Sequence, residues 1–140
     1  RHPGAATMVP VDAEGRVWFV QQYRHAAGRV LLELPAGTLN AGEAPEVCAA
    51  REVREEIWMA AGKLEYLGGF YNAPGYSTEF LYIYLATDLR PDPSPHDDDE
   101  FLEIEKIPIA EAMAMASDGR IVDAKSIAAL MLTRGRLPAP

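Results

Sequence analysis

Glu52, Glu55 and Glu56 stand at i, i+3 and i+4 in the run Arg51-Glu52-Val53-Arg54-Glu55-Glu56. On a helix that spacing brings three carboxylates within ~5–6 Å of one another and costs about 0.2–0.5 kcal/mol per like-charged pair. A hard divalent cation would offset the repulsion, because Mg²⁺ and Mn²⁺ take oxygen ligands and a carboxylate cluster supplies both charge and coordination. The plainer reading is a solvated helix face, with Arg51 and Arg54 pairing with the neighbouring acids. Cys48 falls on the glutamate side. A lone thiol without a companion set of Cys and His reads as packing rather than as a ligand.

Either reading needs a helix. At ~100° per residue, Ala44–Ile57 aligns Val47, Ala50, Val53 and Ile57 in one apolar stripe with the three glutamates opposite. Glu43, just before Ala44-Pro45, suits a helix start, where proline is tolerated and acids favour the dipole, and it can pair with Arg51. Strands are expected at Ala5–Val9, Val17–Tyr23, Val30–Leu34, Leu64–Phe70, Phe80–Ala86 and Glu103–Ile107. The incomplete alternation of Val17–Tyr23 fits a strand covered on both faces. Asp12–Gly15 reads as a turn, and Pro35-Ala36-Gly37 turns the chain toward the helix. Tyr71 to Glu79 is a loop rich in turn formers, and Asp88–Glu100 is a proline-laced acidic loop. Two more helices follow: Ile109–Ser117, ended by Gly119 in a left-handed conformation, and Ala124–Thr133, capped by Asp123. Glu33 interrupts an apolar run; buried, it needs a partner, and facing outward it needs none. Arg24 and His25 close the strand Val17–Tyr23, a place where loops carry ligand contacts. An ordinary surface arginine and a solvent-facing histidine are the alternatives.

The 140 residues, 49% apolar, suit a single domain spanning 1–140. No stretch approaches the ~18–20 apolar residues of a membrane helix, and no signal peptide stands at the start, so a soluble, cytoplasmic protein is expected. The single cysteine agrees with a reducing compartment. A net charge of −8 argues against a nucleic-acid partner. For an anionic substrate it calls for bound cations that reverse the local sign. The chain begins at Arg1, as a processed product or a fragment would.

Gly37, Glu43, Arg51, Glu52, Val53, Glu55, Glu56 and Met59 fall where the Nudix box, G-x5-E-x7-R-E-U-x-E-E-x-G-U with U aliphatic, would put them. With these positions matched, the sequence resembles the Nudix hydrolase superfamily. One position departs: Trp58 replaces the glycine that ends the box helix. A non-glycine residue held left-handed costs roughly 1–2 kcal/mol, so either the turn moves on to Gly62 or the helix end carries strain.

The resemblance implies an α/β fold, an α/β/α sandwich with a mixed β-sheet, and covers Val9 to Leu137. Pro74, about fifteen or sixteen positions past the box, and Gln22-Tyr23-Arg24 before it look like the ADP-ribose pyrophosphatase group. Carried over, Glu52 and Glu56 are metal ligands, Glu55 is a third ligand or a holder of metal-bound water, and the Ala36 carbonyl is a backbone ligand. Arg51 and Glu43 orient the carboxylates. Arg24, with Glu33, Pro74 and Glu79, forms the substrate-binding set. The water-activating carboxylate falls on the acidic loop, with Glu100 preferred to Asp98. Tyr23, Tyr71 and Tyr76 could stack on an adenine. The implied reaction is Mg²⁺-dependent (Mn²⁺ as the substitute) cleavage of a small nucleoside diphosphate substrate, ADP-ribose giving AMP and ribose 5-phosphate. The group forms homodimers through an N-terminal strand region, and this chain starts after most of it. A nucleotide-sugar pyrophosphatase, a non-cleaving nucleotide sensor and a plain interaction domain are the rival readings.

Overall fold

The computed structural model describes residues 3–93 and 103–137. Its organising strand is β1 (Ala5–Pro10), buried along its whole length. On one side it pairs antiparallel with β4 (Ala36–Thr38), and on the other parallel with β6 (Phe80–Pro91). β5 (Met59–Tyr71) completes the mixed sheet in the order β4-β1-β6-β5. The expected sandwich is present, but the remaining strands do not join this sheet. β3 (Arg29–Glu33), β2 (Arg16–Arg24) and β7 (Glu103–Pro108) form a second, antiparallel sheet in the order β3-β2-β7. Beyond the single bridge Val11–Val17, β1 gives its backbone to β4 and β6 rather than to β2.

Side chains of successive strand residues point to opposite faces, and here each face has its own core. Ala5 and Val9 of β1, Val17 and Phe19 of β2 and Leu81, Ile83 and Leu85 of β6 pack with Ala112, Ile121, Ala129 and Leu130. Those partners belong to or flank α2 (Ile109–Asp118) and α3 (Ala124–Thr133). The alternate residues Ala6, Met8, Trp18, Val20, Tyr84 and Ala86 pack against Cys48, Ala49, Val53 and Ile57 of α1 (Pro45–Ile57). Two-sided burial explains why the apolar alternation of β1 and β2 is blurred in the sequence.

Several boundaries differ from expectation for tertiary reasons. β4 forms where a turn was expected, because its three residues find partners on β1. β5 begins at Met59 rather than Leu64, since Met59–Ala61 pair with Leu89–Pro91 at the far end of β6. Pairing overrides the weak strand preference of Ala and Gly. Three local devices are as expected: Gly15 takes a positive φ of 76°, Gly119 ends α2 at φ 90°, and the Asp123 side chain accepts the Ser126 backbone N–H at the start of α3. Trp58 settles the question at the end of α1. It holds the left-handed conformation itself (φ 56°, ψ 38°) and its N–H donates to the Arg54 carbonyl.

Asp12 closes the β1–β2 turn. Its Oδ1 accepts the backbone N–H groups of Glu14 and Arg16, and its Oδ2 accepts Arg16 Nε and Trp18 Nε1 at 2.9 and 2.8 Å. Burial alone would raise its pKa, but the hydrogen bonds from Trp18 and Arg16 bring it below 3.8. Asp12→Ala leaves these donors without their acceptor and is expected to cost about 2–3 kcal/mol in urea unfolding. Because the folded-state pKa is depressed, the Asp12 contribution is present above pH 3.8 and lost as pH falls through the folded value. The variant should therefore differ from wild type at neutral pH and converge with it in acid.

Candidate active site

The glutamate face of α1 is not the solvent face. The buried arc runs through Cys48, Ala49, Glu52, Val53 and Ile57, while Val47 and Ala50 point outward, Val47 being 55% exposed. This corrects the apolar stripe expected from the sequence. The arc is centred near 100° from Cys48 and carries Glu52 and Glu56 within it, one turn apart. Glu55 lies outside it and is exposed. Cys48 is packing, fully buried with its Sγ 3.5 Å from the Gly37 carbonyl, and burial pushes its thiol up to about 11.

Two carboxylates can enter this arc because β4 meets them with backbone rather than side chains. The Glu52 carboxyl lies directly on Gly37, where a Cβ would overlap its carboxyl carbon. The Ala36 N–H donates to Glu56 Oε1 at 3.3 Å. The box glycine is thus the space in which Glu52 sits. β1 fixes this arrangement, since Ala6 pairs with Gly37 and Thr7 with Ala36.

Burial makes the pair uneasy as anions. Desolvation raises the pKa of Glu52, with the Glu55 charge adding to it and Arg51 opposing. Glu56 is pushed up to about 8, first by burial and then by the Glu52 charge beside it. Arg51 supplies the compensation available within the chain. Its guanidinium donates to Glu43 at 2.9 Å, Glu52 Oε1 at 2.7 Å and Glu55 Oε1 at 3.2 Å. The Arg51–Glu43 pair expected from the sequence is therefore formed, and it brings the Glu43 carboxyl down to about 2. With Glu52 and Glu55 drawn to Arg51, no three His, Cys, Asp or Glu side chains among the described residues already stand as a metal set.

Glu33 is 2% exposed and is not an outward strand position. Arg24 grips it with two bonds, Nε to Oε2 at 2.7 Å and Nη2 to Oε1 at 2.6 Å. Lys125, which sequence reasoning missed, donates to the same Oε1 at 2.6 Å and to Asp123 Oδ2 at 2.9 Å. The available signal was a lysine two positions past an acidic cap on an otherwise apolar helix. Pro74 lies with Tyr71, Ser77, Phe80, Tyr82 and Gly4 around a cleft of about 780 Å³. Gly4, just before β1, is two residues from Ala6, the partner of Gly37, or roughly 7 Å at the rise of a strand. Glu79 accepts Asn72 Nδ2 at 2.9 Å beside that cleft. Tyr23, Tyr71 and Tyr76 are 56%, 61% and 91% exposed. Asp98 and Glu100 lie outside the described residues.

The NUDIX domain model matches residues 1–130. Among characterised proteins, the chain is 42% identical over 133 residues to an "ADP-ribose pyrophosphatase" of Mycobacterium tuberculosis, covering 93% of this chain and 64% of that protein. It is 35% identical over 132 residues to an "ADP-ribose pyrophosphatase" of Bacillus subtilis, covering 93% and 71%. A crystal structure described as "ADP compounds hydrolase" superposes with a TM-score of 0.86 at 28% identity, covering 96% of this chain and 72% of that one. The chain belongs to the NUDIX family and is a Nudix hydrolase. Hydrolases of this class work with a divalent metal, and the donor set here fits one: the buried Glu52 and the partly buried Glu56, a helical turn apart against the backbone of β4, with Arg51 shared among Glu43, Glu52 and Glu55.

Gly37→Ala should force Glu52 out of its place and cost about 1–3 kcal/mol in chemical denaturation. Glu56→Gln should do the reverse in metal-free protein. The folded pKa of about 8 exceeds the ordinary glutamate value of 4.5, so the wild type loses stability as pH rises between those values. The variant should melt about 3–5 °C higher at pH 8 and no higher at pH 4, measured by calorimetry in EDTA.

Proposed function

We propose that this hydrolase cleaves the pyrophosphate bond of a nucleoside diphosphate derivative, with ADP-ribose as substrate and AMP and ribose 5-phosphate as products. Mg²⁺ is the metal, and Mn²⁺ can stand in for it. The carrying observation is the placement of Glu52 and Glu56 on the core-facing arc of α1, against the bare backbone of Ala36 and Gly37. Carboxylates are rarely buried without a partner, and a helix gains nothing in stability by holding two there.

Glu52, Glu56, Glu55 and the Ala36 carbonyl would hold the ion. When bound, it neutralises the diphosphate oxygens and lowers the pKa of water. Arg51 holds Glu52 and Glu55 near where they would meet the ion. Arg24 presents a planar guanidinium, about half exposed, suited to two-bond contact with phosphate. The cleft beside Pro74 and Tyr71 receives the nucleoside, with an exposed tyrosine as stacking surface. The water proton passes to a carboxylate of the acidic loop, Glu100 before Asp98. We read residues 1–140 as one Nudix domain, acting as a cytoplasmic homodimer. Among the described residues no helix is long and apolar enough to cross a membrane.

The test is AMP release from ADP-ribose with Mg²⁺, set beside a panel of nucleotide sugars. Loss of an outer-shell partner already costs 10–100-fold, so Glu56→Gln should lower the rate at least about 100-fold, and EDTA should abolish it. Faster cleavage of a nucleotide sugar would move the substrate. Metal-dependent binding of ADP-ribose without cleavage would replace the enzyme by a sensor.

A further inference from the structure

Arg24 and Glu33 lie on neighbouring strands, β2 and β3, yet the group that completes their contact comes from α3, on the far side of the sequence. Glu33 is buried at 2% exposure and Lys125 at 17%. Glu33 Oε1 is shared between Arg24 Nη2 and Lys125 Nζ, both at 2.6 Å. Lys125 is itself fixed by Asp123, whose Oδ2 also accepts the Ser126 hydroxyl at 2.5 Å. That hydroxyl in turn accepts the Leu34 N–H at 2.9 Å, two residues before Ala36. The first turn of α3 is therefore tied to Glu33 at the end of β3 and to Leu34 just beyond it, on the way to β4.

The charges balance within the group: Arg24 and Lys125 against Glu33 and Asp123. Without Lys125, a buried carboxylate would be left to Arg24 alone, which would be drawn down onto it. Two cations on one carboxylate instead fix its plane, and the plane of the carboxylate sets the plane of the guanidinium that grips it. We propose that Lys125 is the positioning residue for Arg24: by occupying Glu33 Oε1, it orients the guanidinium so that its remaining N–H groups face the diphosphate of the substrate. This rests on the hydrolase reading above, with Arg24 as the phosphate contact.

Lys125→Met should raise KM for the cleaved nucleoside diphosphate about tenfold and leave kcat within about twofold, since the carboxylates of α1 are untouched. In an Arg24→Ala background the same substitution should add less than about twofold, because the residue it acts through is gone. Thermal unfolding checks that each variant is folded. Should Lys125→Met fail to fold, Lys125→Gln, which keeps a donor for Glu33 but loses the charge, is measured instead, with a smaller rise in KM expected and the same loss of effect in the Arg24→Ala background. Equal losses in both backgrounds, an unchanged KM, or a fall in kcat alone would overturn the proposal while leaving the hydrolase reading intact. A wild-type protein that cleaves no member of the substrate panel would remove both.

Discussion

The structure depends on the contact between the Glu52 carboxyl and Gly37. A helix that buries its face against a sheet normally brings apolar side chains to the seam, and α1 does so with Cys48, Ala49, Val53 and Ile57. Across the middle of that seam it carries acids instead. The seam closes because β4 contributes almost no side-chain bulk there, so the helix approaches close enough for carboxylates to reach backbone. The result is a locally expensive arrangement held by a well-packed surround. Strain of this kind marks sites where function rather than stability chose the residues.

A second group of charges repeats the theme with a different solution. Glu33 is as buried as any core residue, but its two cations and the Asp123–Ser126 cap make it a closed set. The two groups sit in one electrostatic neighbourhood: Lys125 and Glu33 both act on Glu56, and Glu56 acts on Arg24. The chain therefore keeps one acidic cluster compensated and leaves the other short of positive charge. That contrast separates structural carboxylates from those available to an ion.

Much of this was legible in the sequence. The box positions located α1, its acids and the Arg51–Glu43 pair, and apolar patterning located every strand but β4. The direction of the acids was not legible. Helical periodicity assumes that apolar residues face the core, and Val47 and Ala50 satisfied the pattern while pointing outward. The error came from treating glutamate as evidence for solvent, when the approach of a glycine-bearing strand could make room for it. Glu33 was undecided because its partners, at positions 24 and 125, lie on two other elements, β2 and α3. Long-range pairing also explains β4, which has no strand signal of its own. At Trp58 the local rule was right about geometry and wrong only about who could adopt it. The residue takes the glycine conformation, with an indole nitrogen buried and without a hydrogen-bond partner.

The parallel pairing of β1 with β6 has a consequence for how the molecule comes into being. Residues 5–10 are made before their ladder partners at 81–86, so the organising strand must wait, unpaired on that edge, while the chain between them is synthesised. Loops of that span close slowly, and α3, which holds Glu33 and Leu34 between β3 and β4, arrives later still. During translation the ribosome thus displays a segment with no ladder on that side, a stage at which a chaperone or a neighbouring nascent chain could bind it first.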